Sequence, residues 1–250
     1  MAPKRASGVR VRRGRRGRAL HIDGTFASWY APGTARTGSV WDALAAPLLL
    51  LPAARRRSVL VLGLGGGSVA RLARALAPRA RIVGVERGAD VLRAARRFFD
   101  LDALDLEIVH ADALRYLAWT RRRFDVILED VFVGTGRAVR KPDWLPDPGL
   151  ARAARHLRPD GLLVSNAIDE APDVARCLGG LFPGLLRIEV AGYDNRVLVG
   201  GPRSIRAGAL RAAVARNPLL SATLPRLSFR TLVPAGGLSA RPPGTARRCD

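Results

Sequence analysis

The stretch Ser58–Glu86, SVLVLGLGGGSVARLARALAPRARIVGVE, constrains this chain more than any other. An apolar run, Val59 to Leu62, ends in a cluster of glycines, Gly63, Gly65, Gly66 and Gly67. A helix-patterned segment follows, and then a second apolar run that closes on an acid, Glu86. Glycines let a backbone turn sharply and approach a ligand with no Cβ in the way. A helix starting near Gly67 offers free N–H groups and the positive end of its dipole. A glycine loop alone is a weak signal, because a plain strand–helix turn can also carry one. Glu86, however, lies 21 residues after Gly65, at the end of the next predicted strand. Nucleoside-binding folds place an acid there to accept from ribose hydroxyls. Loop and acid together predict a nucleoside site that uses Gly63, Gly65, Gly67 and Glu86.

The alternation continues downstream. Strands are expected near 59–62, 81–85, 106–110, 124–129 and 161–165, with helices near 67–77, 89–99, 112–119 and 147–157. Two strand-like runs, Leu186–Val190 and Arg196–Val199, flank the turn Ala191–Asn195 and read as an antiparallel hairpin. The fold class is therefore α/β: a doubly wound, mostly parallel seven-stranded sheet with a terminal antiparallel hairpin. Ala19–Ile22 and Thr25–Trp29 flank Asp23-Gly24 and predict a short N-terminal β-hairpin. Val40–Leu51 reads as helical up to Pro52. This divides the chain into a basic flexible arm (1–18), a hairpin and helix (19–57), the ligand-binding domain (58–216) and a partly disordered tail (217–250). Within that tail, 231–250 is rich in Pro, Gly and Arg.

The formal charge of +21 comes almost wholly from arginine; the only lysines are Lys4 and Lys141. With abundant Ala, Gly and Pro, it reads as a compositional bias of the whole chain rather than a built surface. It still predicts loose, salt-sensitive contact with polyanions through the basic arm. Cys177 and Cys249 form no disulfide or zinc spacing, and no metal site is expected. The basic N-terminus has no secretory apolar core after it, and the richest apolar run, Ala43–Ala54, is interrupted by Pro47 and Pro52. A bilayer needs roughly 20 apolar residues, so the expectation is a cytoplasmic protein with no membrane span.

Further candidates lie at the predicted carboxyl ends of the strands, where ligands bind in such sheets. Asp112 could accept from an adenine amino group and the Ala113 N–H could donate to the ring; Asp112 also suits the N-cap of the next helix. Glu129 and Asp130 close the fourth strand, and adjacent acids at an apolar strand end are costly to bury. Asp130 is expected to face the reaction centre. Ser165-Asn166 end the fifth strand and either line the same pocket or cap a helix over Asp169–Leu178. The connection Val131–Pro148 is long enough to serve as a lid.

These features together resemble the class I S-adenosylmethionine-dependent methyltransferase superfamily, and within it the spermidine synthase-like group. The likeness runs from about Ile22 to Gly200. It includes Val40-Trp41-Asp42-Ala43-Leu44, where polyamine synthases have Tyr-His-Glu-Met-Leu, and the runs Val59–Ser68, Phe124–Val133 and Leu157–Asn166. The resemblance implies a transferase of polyamine biosynthesis type that binds S-adenosylmethionine or its decarboxylated form, with a small-molecule acceptor, and it leaves a homodimer open. Asp130 would orient the nucleophile or take its proton. Phe132, Lys141 and Trp144 would cover the acceptor, Trp144 either stacking on it or anchoring the loop, with Trp41, Asp42 and Glu129 completing the walls.

Two departures bear on the reaction. Aminopropyltransferases carry an Asp inside the glycine loop, whereas this chain has Gly65-Gly66-Gly67-Ser68. They also carry Asp-x-x-Asp after strand four; Asp130 matches the first position and Val133 stands at the second. An acid-free loop at a helix N-terminus suits the carboxylate of S-adenosylmethionine. The sequence thus favours methyl transfer, with aminopropyl transfer from the decarboxylated donor as the alternative and a non-catalytic cofactor-binding module as a second. A nicotinamide dehydrogenase fits poorly, because Ser68 replaces the third glycine or alanine of its fingerprint. A base amino-methylating enzyme would need Asn/Asp-Pro-Pro-aromatic where Glu129-Asp130-Val131-Phe132 stands.

Overall fold

The structure, a computed structural model, describes residues 8–233. The chain runs β1 (Val9–Gly14), β2 (Gly17–Ile22), β3 (Thr25–Tyr30), α1 (Val40–Ala45), β4 (Ser58–Leu62), α2 (Ser68–Leu76), β5 (Arg81–Glu86) and α3 (Ala89–Phe98). It continues with β6 (Glu107–His110), α4 (Ala113–Trp119), β7 (Phe124–Glu129), α5 (Gly149–Arg155), β8 (Leu157–Ala167) and α6 (Ala171–Leu181). The last elements are β9 (Gly184–Val190), β10 (Arg196–Gly201), α7 (Ala207–Arg216) and β11 (Leu227–Leu232).

The main sheet has the order β11-β9-β10-β8-β7-β4-β5-β6. The strands from β8 to β6 pair in parallel, and β10, β9 and β11 add on antiparallel. The predicted doubly wound sheet with its terminal hairpin is thus present, with one strand more than expected. Leu227–Leu232, assigned by sequence to the tail, pairs with β9 along its whole length. Residues 234–250, the remainder of that predicted disordered tail, lie outside the described residues, as do residues 1–7 of the arm.

Alternation along the strands separates two cores. Val59 and Val61 of β4 face one side with Trp41, Leu44, Val69, Leu72 and Leu210. Leu60 and Leu62 face the other with Tyr116, Leu150 and Val174. So α1, α2 and α7 cover one face, and α4, α5 and α6 cover the opposite one.

The N-terminal region corrects the sequence expectation most. Val9–Gly14, read as flexible arm, is a strand of a three-stranded antiparallel sheet. Its arginines hide a period-two pattern in which Val9 and Val11 pack with Leu20, Tyr30, Val91 and Phe99. The small sheet is bolted to the glycine loop: Ser68 Oγ donates to the Trp29 carbonyl and accepts from the Trp29 N–H, each at 2.8 Å. The predicted helix Val40–Leu51 is α for only its first half; Ala46–Leu50 tightens to a 3-10 turn with Pro47 in it.

Gly63 tests how tightly this edge is built. Its φ is +82°, and a Cβ there would sit 2.5 Å from the Asp130 carbonyl oxygen. Gly63→Ala should cost about 1–3 kcal/mol in urea unfolding. Gly180→Ala, at a helix position where a Cβ meets nothing within 4 Å, should be neutral or gain up to about 0.5 kcal/mol.

Candidate functional site

The carboxyl ends of β4, β5, β6, β7 and β8 gather most of the predicted residues at one edge. After β4 the chain turns through Gly63, Gly65 and Gly67, all at positive φ. Gly63 and Leu64 both donate to the Val85 carbonyl at 3.0 Å, which holds the loop against β5. The Glu86 carboxylate accepts from the Gly65 N–H at 2.9 Å and the Gly88 N–H at 2.8 Å. One lone-pair direction on each oxygen is then left for ribose hydroxyls. Asp112 is the N-cap of α4, accepting from the Arg115 N–H at 3.1 Å, with Ala113 buried behind it.

The loop departs from the sequence expectation in one respect that matters for the donor. Free N–H groups were expected at the start of the helix near Gly67, and the three glycines before it have spent theirs. Gly65 donates to Glu86, Gly66 donates to Ser28 Oγ at 2.7 Å, and Gly67 donates to the Leu64 carbonyl at 2.9 Å. Ser28, which no local pattern singled out, comes from β3 and lies over the loop, where a Cβ on Gly66 would meet its Cβ at 2.8 Å.

Asp130 sits on the α1/α2/α7 side of the sheet. Trp41 Nε1 donates to its Oδ2 at 3.0 Å, and Asn166 Nδ2 donates to its Oδ1 at 2.7 Å. Asn195 Nδ2 in turn donates to Asn166 Oδ1 at 3.0 Å. Trp41 is braced edge-on by Phe26, with ring centroids 5.1 Å apart. Burial pushes the Asp130 carboxyl up to about 6, with the neighbouring Glu129 charge adding to the rise. The bonds from Asn166 and Trp41 and the Lys141 charge hold it down.

Glu129, one residue earlier, points to the opposite face and is fully buried. Its carboxylate binds Lys141 Nζ through both oxygens, at 2.7 and 2.9 Å, and accepts from the Val131 N–H at 2.7 Å and from Ser165 Oγ. Lys141 Nζ also donates to the Val131 carbonyl at 3.1 Å and lies 4.1 Å from the centre of the Phe132 ring.

Two candidates are engaged by contacts within the protein. Asp42 is fully buried, and its carboxylate accepts from the Thr37 and Gly38 N–H groups and from the Thr37 and Thr223 hydroxyls. It ties α1 to the loops around it rather than lining a wall. Trp144 packs its ring against Gly149, where a Cβ would meet it at 2.4 Å, and joins the α4/α5/α6 core. Its position matches the anchor role, not stacking. Among the described residues no group of His, Cys, Asp and Glu is arranged to hold a metal ion, and no helix is long and apolar enough to cross a membrane.

Residues 59–161 match the family described as "Methyltransferase domain". A probable polyamine aminopropyl transferase of Bifidobacterium longum is 33% identical over 132 residues, 52% of this chain and 28% of that protein. A polyamine aminopropyltransferase of Chromobacterium violaceum is 36% identical over 114 residues, 44% of this chain and 42% of that protein. The chain thus spans less than half the length of the curated relatives it matches. In fold it is similar to a probable spermidine synthase of Corynebacterium glutamicum, with a TM-score of 0.71 at 21% identity, covering 98% of this chain and 96% of that one. It is also similar to human methyltransferase-like protein 13 in complex with SAH, with a TM-score of 0.57 at 23% identity, covering 74% and 90%. A spermidine synthase in complex with the transition state analogue AdoDATO has a TM-score of 0.59 at 17% identity, covering 84% and 80%.

Asp130 predicts a pH signature. Its folded value, about 6, lies above the ordinary 3.8. Between those values the native state keeps a proton that the unfolded chain has released, so this group's contribution to stability falls as pH rises through the window. Measured by urea midpoints, wild type should lose about 1–2 kcal/mol relative to Asp130→Asn between pH 4 and pH 7, solvent access to Asp130 trimming the effect.

Proposed function

We propose that this chain, whose fold is similar to that of a probable spermidine synthase and whose residues 59–161 match a methyltransferase domain, transfers an aminopropyl group from decarboxylated S-adenosylmethionine to an amine. The observation that carries this is the Asp130 carboxylate, fixed by Trp41 and Asn166 at the edge where Glu86 and Asp112 would hold the adenosine. The acceptor nitrogen attacks the carbon bonded to the sulfonium. The C–S bond breaks, its electron pair stays on sulfur as a neutral thioether, and the proton lost by nitrogen passes to Asp130. A carboxylate shifted toward the working pH is a better base while still largely ionised there.

The glycine loop itself offers a donor carboxylate little. The N–H groups of Gly65, Gly66 and Gly67 are already used, so a carboxylate on the donor could be met only by the first-turn N–H groups of α2. The names of the relatives support aminopropyl transfer over the methyl transfer expected from sequence. One observation favours methyl transfer as a second reading: no acid stands in Gly65–Ser68 to meet the donor's amine.

Titration calorimetry with the two donors separates these. Decarboxylated S-adenosylmethionine should bind about tenfold or more tightly than the carboxylated form, and the reverse order would replace aminopropyl by methyl transfer. Glu86→Ala should weaken either donor by about tenfold or more with an unchanged circular dichroism spectrum. Asp130→Asn should lower kcat by about a hundredfold and leave donor affinity nearly unchanged.

A further inference from the structure

Lys141 is one of two lysines among the chain's 42 lysines and arginines. A composition so biased towards arginine retains a lysine here, at a site only 2% exposed. The geometry explains it. Nζ makes hydrogen bonds to Glu129 Oε1, Glu129 Oε2 and the Val131 carbonyl, the full set an ammonium can donate, and a fourth side is closed by the Phe132 ring. A planar, forked guanidinium cannot donate to points arranged around one centre. Carboxylate, carbonyl and aromatic face together form the surroundings a primary amine selects.

As a mere fastening, this pair is a poor investment, since buried ion pairs often add nothing over apolar packing. The loop also has other anchors: Val133 and Arg140 exchange backbone hydrogen bonds at 2.8 and 2.9 Å, and the Lys141 N–H donates to Glu170 at 2.6 Å. The cage lies one residue from Asp130, and the Lys141 charge is felt there. Val133 stands three residues after Asp130, where the aminopropyltransferase pattern has its second acid.

We propose that the Glu129 carboxylate, the Val131 carbonyl and the Phe132 ring form a binding site for a primary ammonium. Lys141 occupies it as a ligand tethered to the loop, and this limits the acceptor to one recognised amino group, delivered to Asp130. The acceptor clause rests on the amine-acceptor reading above; the ammonium site does not.

Lys141→Ala removes the Cγ-to-Nζ atoms, which n-propylammonium replaces. Propylammonium chloride should raise the melting temperature of Lys141→Ala by several degrees, saturably. It should not move wild type or Glu129→Gln/Lys141→Ala, and propylguanidinium should be ineffective on all three. If Lys141→Ala is unfolded alone, the same titration is followed by circular dichroism, and folding restored by propylammonium is the expected result. A response no greater than that to sodium chloride, or folding not restored, overturns the site. With decarboxylated donor, wild type should use butylamine and 1,4-diaminobutane with kcat/KM within about threefold, while Lys141→Ala should prefer the diamine by about tenfold. Wild type preferring the diamine by that margin overturns the acceptor restriction. Transfer to neither amine removes the amine-acceptor reading and the restriction built on it, while the propylammonium titration still decides the site.

Discussion

The edge that carries the site depends on a contact with no side chain in it. Gly63 leaves β4 in a left-handed conformation and passes so close to the Asp130 carbonyl that a single Cβ would collide with it. The Asp130 N–H meanwhile donates to the Leu62 carbonyl at 2.9 Å, prolonging the β4–β7 register past the end of both strands. Parallel strands splay once their ladder stops. Here the ladder is carried one residue further and the glycine loop folds over it. Asp130 therefore has its backbone satisfied and its carboxylate free to be aimed by Trp41 and Asn166. The period of two then sends Glu129 to the other face, so that two adjacent acids serve two different surroundings.

What could be read from the sequence follows from how local each feature is. The loop, Glu86 and the N-cap Asp112 lie within short strand–turn–helix units, and their residue types state their geometry. Ser28, Asn195 and the cage around Lys141 could not be read this way. Asn195 reaches Asn166 because β10 pairs with β8 in a register that sets Val197 opposite Asn166. Ser28 reaches Gly66 because a separate small sheet docks on the loop. Such contacts are fixed by long-range pairing, to which a single sequence gives no access. In β1 the pattern was present but masked: the valines alternate, yet the arginines between them read as solvated chain. Asp42 and Trp144 were legible as residue types but not as contacts. A polar residue or an aromatic beside a predicted site looks functional until its partners are known, and theirs are Thr37, Thr223 and Gly149.

The acid-free glycine loop shows how an absence can be read two ways. On sequence, missing negative charge pointed to a donor carboxylate resting on free N–H groups. A helix N-terminus attracts anions only where its donors are unspent. Here Glu86, Ser28 and the Leu64 carbonyl take the three glycine N–H groups in turn. The loop glycines thus add no donor of their own, and the first turn of α2 is the part of this edge left to face an anion. Discrimination at the far end of the donor then falls to the residues around Asp130.

Charge balance around Asp130 ties these parts together. Two neighbouring carboxylates repel, and Glu129 alone drives Asp130 toward its protonated form, adding to the effect of burial. Lys141 acts in the opposite direction on the same group. Its ammonium is bound to both Glu129 oxygens, and its pull on Asp130 outweighs the push from Glu129. The carboxyl still lies near 6 because burial outweighs the Asn166 bond, the Lys141 charge and the Trp41 bond. Higher, it would be protonated at neutral pH and useless as an acceptor; at the ordinary aspartate value it would be a weaker base. A lone acid at position 129 would spoil this setting, and an apolar residue there would leave Lys141 unpaired. The basic partner of Glu129 is the compact cation, whose three donors reach both carboxylate oxygens and the Val131 carbonyl, and not the arginine that fills nearly every other basic position.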